Sequence, residues 1–283
     1  MDGLALVSPD VGIVGRVQNR LAHAAWFKRL RRRVMAHLPF PVLESDVRDV
    51  VYANWVVPLE AVAHLIPPGV DVMAVDGSTI LTVLTYAHGH FGPAAAGPLR
   101  RLFPSPLQSN WRLYVSGIDG RTPSVPTVLF LANVFDSALH AVGTRMFSDV
   151  MLAHVAGQFE HRRDGDMWTS RAGGTGSAPS WTIRARETDD MGMPAQFASF
   201  FADRTEALRR LCLQDAAIAP VEDAKALAVS EIDLPIDIAS VVPLRVESFE
   251  PGSLLREMQA TAAPFCFRVP ALRFRVLSER LLA

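Results

Sequence analysis

Lysine is almost missing from this 283-residue chain: Lys28 and Lys225 are the whole complement, and every other Lys/Arg position is arginine. A Schiff-base amine therefore has two side chains to come from, and both fall in helical contexts that read as exposed. Cysteine is equally scarce. Cys212 and Cys266 cannot make a CxxC pair, a zinc knuckle or a disulfide framework, and a reducing cytoplasm is the compartment that fits. No run reaches the roughly 18 apolar residues of a spanning helix, and the N-terminus lacks a charged segment followed by a long apolar one, so a soluble chain is expected. An HExxH helix and a GxSxG elbow are absent, and the glycine-rich run 173–177 has no phosphate-loop lysine, which leaves it as a flexible connection. A net charge of −1 gives no global drive toward nucleic acid or an anionic membrane. What remains is a small-molecule ligand as the expected partner, with no cofactor or metal implied and homo-oligomerisation left open.

What is present is apolar material: 49% hydrophobic residues against 20% charged, enough for a large core. The expected organisation is an N-terminal arm and helix over residues 1–40 and a single domain over 41–283. Residues 1–10 read as a loose arm. Helical periodicity over 11–37 carries Leu21, Trp26, Leu30 and Val34 beside Arg29, Arg31, Arg32 and Arg33, and the basic run reads as a solvated helix face.

Residues 50–57 alternate as a strand, and Pro58 opens a short helix that Pro67, Pro68 and Gly69 stop. Asp76-Gly77 joins two further strands in a hairpin, the second ending in His88-Gly89-His90. Residues 93–106 form a long proline- and glycine-rich loop of the kind that covers a cavity or crosses a surface. Strand follows strand from 154 to 186, helices are expected over 194–203 and 204–215, and strands over 229–247 and 265–277 close the chain. The economical architecture is mainly antiparallel sheet, as a barrel or wrapped sheet with helices outside. Trp55, Trp111, Trp168 and Trp181 belong to its core.

Residues 108–152 organise the rest. The first strand there sets Asn110, Arg112 and Tyr114 on one face against Trp111, Leu113 and Val115 on the other. A buried run at 127–135 follows, then a helix that Ser137 can cap, with Leu139, Val142, Met146 and Val150 facing inward. Arg112 and Arg145 are suited to hold a carboxylate bidentately; the alternative for Arg145 is an i,i+4 pair with Asp149. Tyr114 can donate to a carbonyl, or to a backbone acceptor as a buried tyrosine. His88 and His90, read on one strand face, are acid–base candidates, as is His140, four residues after Asp136.

Trp55 with Pro58, the helix ending Leu65-Ile66-Pro67, the Asp76-Gly77 hairpin, Asn110-Trp111-Arg112-Leu113-Tyr114-Val115 and Arg145 together resemble the DUF2071 (YqjF-like) family, within the acetoacetate decarboxylase-like superfamily. The resemblance spans about residues 50–186. It implies a mainly β (α+β) fold, an antiparallel β-barrel with an internal cavity and peripheral helices. Two departures bear on chemistry. The segment 143–152, comparable to the one that carries the decarboxylases' Schiff-base lysine, has no lysine, and Gln108 stands where the DUF2071 pattern has glutamate. A glutamine holds a ligand by hydrogen bonds but is no general base.

The expected function is a small-molecule enzyme of lyase, hydratase or cyclase type, acting on a carbonyl- or carboxylate-bearing metabolite without a Schiff-base lysine. Arg112, with Gln108 and Arg145, would anchor the anionic group, Asn110 and Tyr114 would polarise the carbonyl, and His88, His90 or His140 would move the proton. The competing expectation is a non-catalytic protein that holds an apolar small molecule in the barrel.

Overall fold

The computed structural model describes residues 5–282. In chain order its elements are helices α1 (Gly12–Ala22) and α2 (Ala25–Met35), strand β1 (Leu43–Pro58), helix α3 (Leu59–Val62), strands β2 (Val70–Val72), β3 (Ala74–Val75), β4 (Ser78–Ala87), β5 (Gly92–Pro93), β6 (Leu107–Ile118) and β7 (Thr127–Phe135). There follow helix α4 (Ala138–Phe147), strands β8 (Ala153–Val155), β9 (Gln158–Asp164), β10 (Met167–Gly173) and β11 (Trp181–Glu187), then helix α5 (Arg204–Cys212). Strands β12 (Ala216–Pro220), β13 (Leu227–Asp233) and β14 (Val242–Pro251), helix α6 (Ser253–Glu257) and strand β15 (Phe265–Leu281) complete it. The fold is mixed α+β, mostly sheet with few helices. Among the described residues no helix is long and apolar enough to cross a membrane.

The strand pairings return on themselves. β1 pairs with β4 on one side and β15 on the other, and the path β1–β4–β6–β7–β12–β13–β15 leads back to β1. Most pairs are antiparallel, but β7 runs parallel to both β8 and β12. β14, β11, β10 and β9 continue from β15 as a second layer. Period-two alternation separates two cores. Val51, Ala53, Trp55, Leu81, Val83, Trp111 and Leu113 face outward from the circuit and meet Trp168, Trp181, Ile183 and Ala185 of the second layer. Val50, Tyr52, Leu84 and Tyr114 face the other way, and Phe197, Phe201 and the apolar side of α5 close over part of that face.

Local chemistry sets the corners. Asp76 and Gly77 both take positive φ (47° and 75°), as a two-residue hairpin with right-handed strand twist requires. In β1 the register slips between Arg48 and Val51, and Asp49 sits there at φ 56°. That bulge resets the alternation, so that Ser45 and Val47 before it and Val50 and Tyr52 after it serve the same face.

The N-terminal region differs from the sequence-based expectation in three ways. The helical segment breaks at His23–Ala24 into α1 and α2. Residues 1–4 of the expected arm lie outside the described residues, but Leu6 is buried, and the Val7 backbone exchanges hydrogen bonds with Ser177 (Val7 N to Ser177 Oγ 2.7 Å; Ser177 N to Val7 O 2.9 Å). Gly176 makes that seam possible: it takes φ +95°, and a Cβ there would lie 2.6 Å from the Val7 carbonyl oxygen. Finally, the basic run of α2 is not a solvated face. Lys28 is buried against Glu222 (2.5 Å), Arg32 holds Asp149 (2.7 Å) and Asp223 (2.5 Å), and Arg31 also pairs with Asp149. Acidic side chains beneath the helix decide its orientation, which leaves the apolar stripe of Trp26, Leu30 and Val34 exposed. The helix expected over 194–203 shrinks to one 3-10 turn at Ala195–Phe197.

Candidate functional site

All seven strands of the closed circuit contribute side chains to one cavity of about 480 Å³. Leu84, Phe130, Ile232, Leu272, Phe274 and Val276 give it apolar walls, and α2 and α4 border its mouth with Met35 and with Leu139 and Phe147, the last two largely exposed. One sector is polar. There Gln108, Asn110 and Arg112 point inward from alternate positions of β6, beside Tyr86 and His88 at the end of β4.

His88 is locked at both nitrogens. Its Nδ1 lies 2.8 Å from Ser45 Oγ and its Nε2 lies 2.7 Å from Gln108 Oε1. Gln108 Nε2 donates to Asn133 Oδ1 (2.9 Å), so its oxygen is the atom that faces His88. The proton of His88 therefore sits on Nε2, and Nδ1 accepts from the Ser45 hydroxyl. Asn110 Nδ2 donates to the same Asn133 oxygen at 2.8 Å. Burial pushes the His88 pKa down to about 4, so the ring is neutral at neutral pH.

Arg112 is 4% exposed, and no carboxylate among the described residues pairs with it. Its Nη2 donates to the Leu211 carbonyl at 2.7 Å, and its guanidinium carbon lies 5.6 Å and 5.7 Å from the ring centres of Tyr52 and Tyr114. Cys212 is a neutral thiol here, its pKa pushed up to about 12 by burial. The cavity therefore contains a permanent cation without a counter-charge, an arrangement that costs several kcal/mol unless an anion joins it.

At the mouth, His140 lies on α4 with Nδ1 unpartnered, and burial lowers its pKa. Asp136 does not bond to it; Asp136 Oδ1 accepts instead from Leu107 N at 3.1 Å. Glu279 also reaches the lining, where it accepts from Ser148 Oγ (2.5 Å) and Asp149 N (2.7 Å), and burial raises its pKa.

Five of the eight residues singled out from sequence thus converge on the cavity: Gln108, Asn110, Arg112, His88 and His140. Three do not. Strand β4 ends at Ala87, so His90 does not share a strand face with His88; it adopts φ 55° in the following turn and does not line the cavity. Tyr114 sits beyond Arg112, its hydroxyl donating to Leu211 O (3.1 Å) and lying 2.9 Å from Thr82 Oγ1, which is the backbone-acceptor alternative. Arg145 points away to Glu222 (3.2 Å) and to the Ala153 carbonyl (2.6 Å), while its expected partner Asp149 is taken by α2. Neither lysine lines the cavity. Lys28, expected to be exposed, is only 5% so.

Sequence reasoning missed Ser45, Asn133 and Tyr86. The first two hold the network from neighbouring strands, a placement that only register reveals. Tyr86 was within reach, since it alternates with Leu84 and His88; its hydroxyl has no hydrogen-bond partner among the described residues, and burial raises its pKa.

The model of DUF2071, described as an uncharacterized conserved protein, matches residues 44–210. The chain belongs to the DUF2071 family. No curated protein matches this DUF2071 chain. Among solved structures it is similar to the enduracididine biosynthesis enzyme MppR complexed with pyruvate, with a TM-score of 0.57, 14% identity and coverage of 87% of this chain and 91% of that one. An acetoacetate decarboxylase-like enzyme from Sphingomonas wittichii RW1 gives 0.55 at 10% identity, covering 87% and 97%. Acetoacetate decarboxylase itself gives 0.54 at 13% identity, covering 86% and 90%. At these identities the likeness establishes an acetoacetate decarboxylase-like fold.

Proposed function

We propose that this DUF2071 chain is a small-molecule enzyme of lyase, hydratase or cyclase type that moves a proton on a carbonyl- or carboxylate-bearing metabolite without a Schiff-base lysine. The closed circuit of strands is read as a barrel whose interior holds the substrate. One observation carries the reading: Arg112 brings an uncompensated charge into a cavity that also gathers Tyr86, His88 and His140. In this reading the substrate carboxylate is held by Arg112, with Asn110 and Gln108 beside it. His140, neutral and unpartnered at Nδ1, is the base that takes a proton from the carbon next to the carbonyl. Tyr86, its hydroxyl free, donates to the oxygen on which charge develops. His88 is a positioning residue, since both its nitrogens are committed.

The test is deuterium exchange. Keto acids and other carboxylates with an acidic α-carbon are incubated with the protein in heavy water, and label uptake is followed by NMR. Exchange in the wild type that falls at least tenfold in both Arg112→Met and His140→Gln supports the reading. Exchange untouched by Arg112→Met ends it. The apolar walls favour a second reading, a carrier. Arg112-dependent binding of a carboxylate with no exchange in any variant identifies that.

A further inference from the structure

We infer that the ligand of this cavity is a monocarboxylate with an extended apolar body, bound with its carboxylate at Arg112 and its body directed toward α2 and α4. The inference rests on Arg112 as the anion anchor and specifies what else the molecule must be.

The charge inventory of the lining sets the valence. Arg112 is without a counter-ion among the described residues, whereas Arg31 at the mouth is already paired with Asp149 and lies 4.0 Å from Glu279. His88 is kept neutral by burial, its tautomer fixed by Ser45 and Gln108. His140 is also held toward the neutral form by burial, so among the described residues the cavity offers one unmatched permanent positive charge. A second carboxylate or a phosphate would meet apolar walls or Glu279, and burial of that surplus charge is disfavoured.

The walls set the body. From Leu84 and Phe130 through Leu272, Phe274 and Val276 to Leu139 and Phe147, the lining beyond the polar sector is mostly hydrocarbon, interrupted by Arg31, His140, Thr144, Ser148, Ser230 and Glu279. A cavity of about 480 Å³ falls in the range that takes drug-sized ligands, not three- or four-carbon acids. A short keto acid would satisfy Arg112 and leave these walls uncovered. Asn110 Nδ2 and Gln108 Nε2 each donate to Asn133, whereas Arg112 Nε has no partner among the described residues, which leaves Arg112 as the charged head-group contact.

Gly143 gives the handle for a test. It lines the cavity from α4, and a Cβ added there would meet nothing within 4 Å, so a leucine can be accommodated locally while it takes up space where the ligand's body would lie. Binding of butyrate, octanoate, octanedioate and octanol is measured by calorimetry on the full chain, on Arg112→Met and on Gly143→Leu, each checked for a cooperative melt. Octanoate is expected to bind roughly a hundredfold more tightly than butyrate. Octanedioate and octanol should each be about tenfold weaker than octanoate or worse. In Arg112→Met octanoate falls to the level of octanol, which itself is unchanged; in Gly143→Leu octanoate weakens and butyrate does not. Equal affinity for butyrate and octanoate, both lost in Arg112→Met, overturns the apolar-body inference and leaves the anion anchor standing. Octanol binding as tightly as octanoate in the wild type overturns the anchor, and with it the function proposed above.

Discussion

The guanidinium of Arg112 and the carbonyl oxygen of Leu211 are joined at 2.7 Å, the arginine on β6 and the leucine near the end of α5. The bond pins the helix over one end of the cavity with a charge that has no carboxylate partner. A buried charge without a partner is destabilising, so replacing it by an uncharged side chain of similar length removes that penalty. Tyr114, at 3.1 Å, would still satisfy the Leu211 oxygen. The ligand-free Arg112→Met protein should therefore be as stable as the wild type or up to about 3 kcal/mol more stable by urea unfolding. A loss of stability beyond about 1 kcal/mol would mean that the cation is structural and not held for a ligand.

His88 makes stability depend on pH in a defined window. Its pKa is about 4 when folded and near 6.5 when unfolded, because burial disfavours the charged ring. Above pH 6.5 the ring is neutral in both states and contributes no pH dependence; between 6.5 and 4 the unfolded chain takes up a proton that the folded chain refuses, so stability falls as pH falls. The full effect is about 3 kcal/mol. His154, pushed down to about 3 by burial and by Arg145, adds to the same slope. Urea midpoints measured from pH 7 to 4 should drop less steeply in His88→Asn than in the wild type; parallel curves would contradict the assignment.

Glu222 collects Lys28 (2.5 Å), His23 (2.6 Å) and Arg145 (3.2 Å), tying α1 and α2 to α4. Glu222→Gln leaves Lys28 and Arg145 buried without that charge. The full penalty for such a break is moderated because a quarter of the Glu222 side chain is exposed, so a loss of about 2–3 kcal/mol is expected. Amide exchange should accelerate first in residues 12–35. Uniform acceleration over the sheet would show that the pairing is not local.

Gly176→Ala should release the arm that Gly176 admits. At φ +95° with the Val7 carbonyl 2.6 Å from the new Cβ, the substitution costs about 1–3 kcal/mol. Limited proteolysis should then cut within residues 5–10, which are protected in the wild type by Leu6 and by the Val7–Ser177 bonds. An unchanged digestion pattern would refute the role of that seam.

The sheet was legible in the sequence because its signals are local. Asp76-Gly77 announces a hairpin, and the alternation Asn110-Trp111-Arg112-Leu113 announces a strand with unlike faces. The convergence of Gln108, Asn110 and Arg112 follows from the same alternation. His90 failed because a two-residue spacing implies a shared face only while the strand lasts, and β4 ends three residues earlier. Tyr114 failed because alternation fixes the face and not the depth: it shares a side with Arg112 but lies under α5, beyond the cavity. Arg145 and the basic run of α2 failed together, since Glu222, Asp149 and Asp223 come from distant parts of the chain and none is visible from the helices they hold. The bulge at Asp49 left no sequence signal that alternation could register.

β15 pairs with β1 over Leu43 to Asn54, with β13 over its last residues and with β14 near its start. It is the last strand of the described chain, and its partner β1 is the first. During synthesis, therefore, every wall of the cavity but one emerges before the closing strand exists, and the facing edges of β1, β13 and β14 stay unpaired until then. Loop closure across more than 200 residues makes this a slow step. The site is accordingly assembled late and at once, and a truncated chain lacking β15 would present three open sheet edges, a substrate for chaperones or for aggregation in place of a weakened binding site.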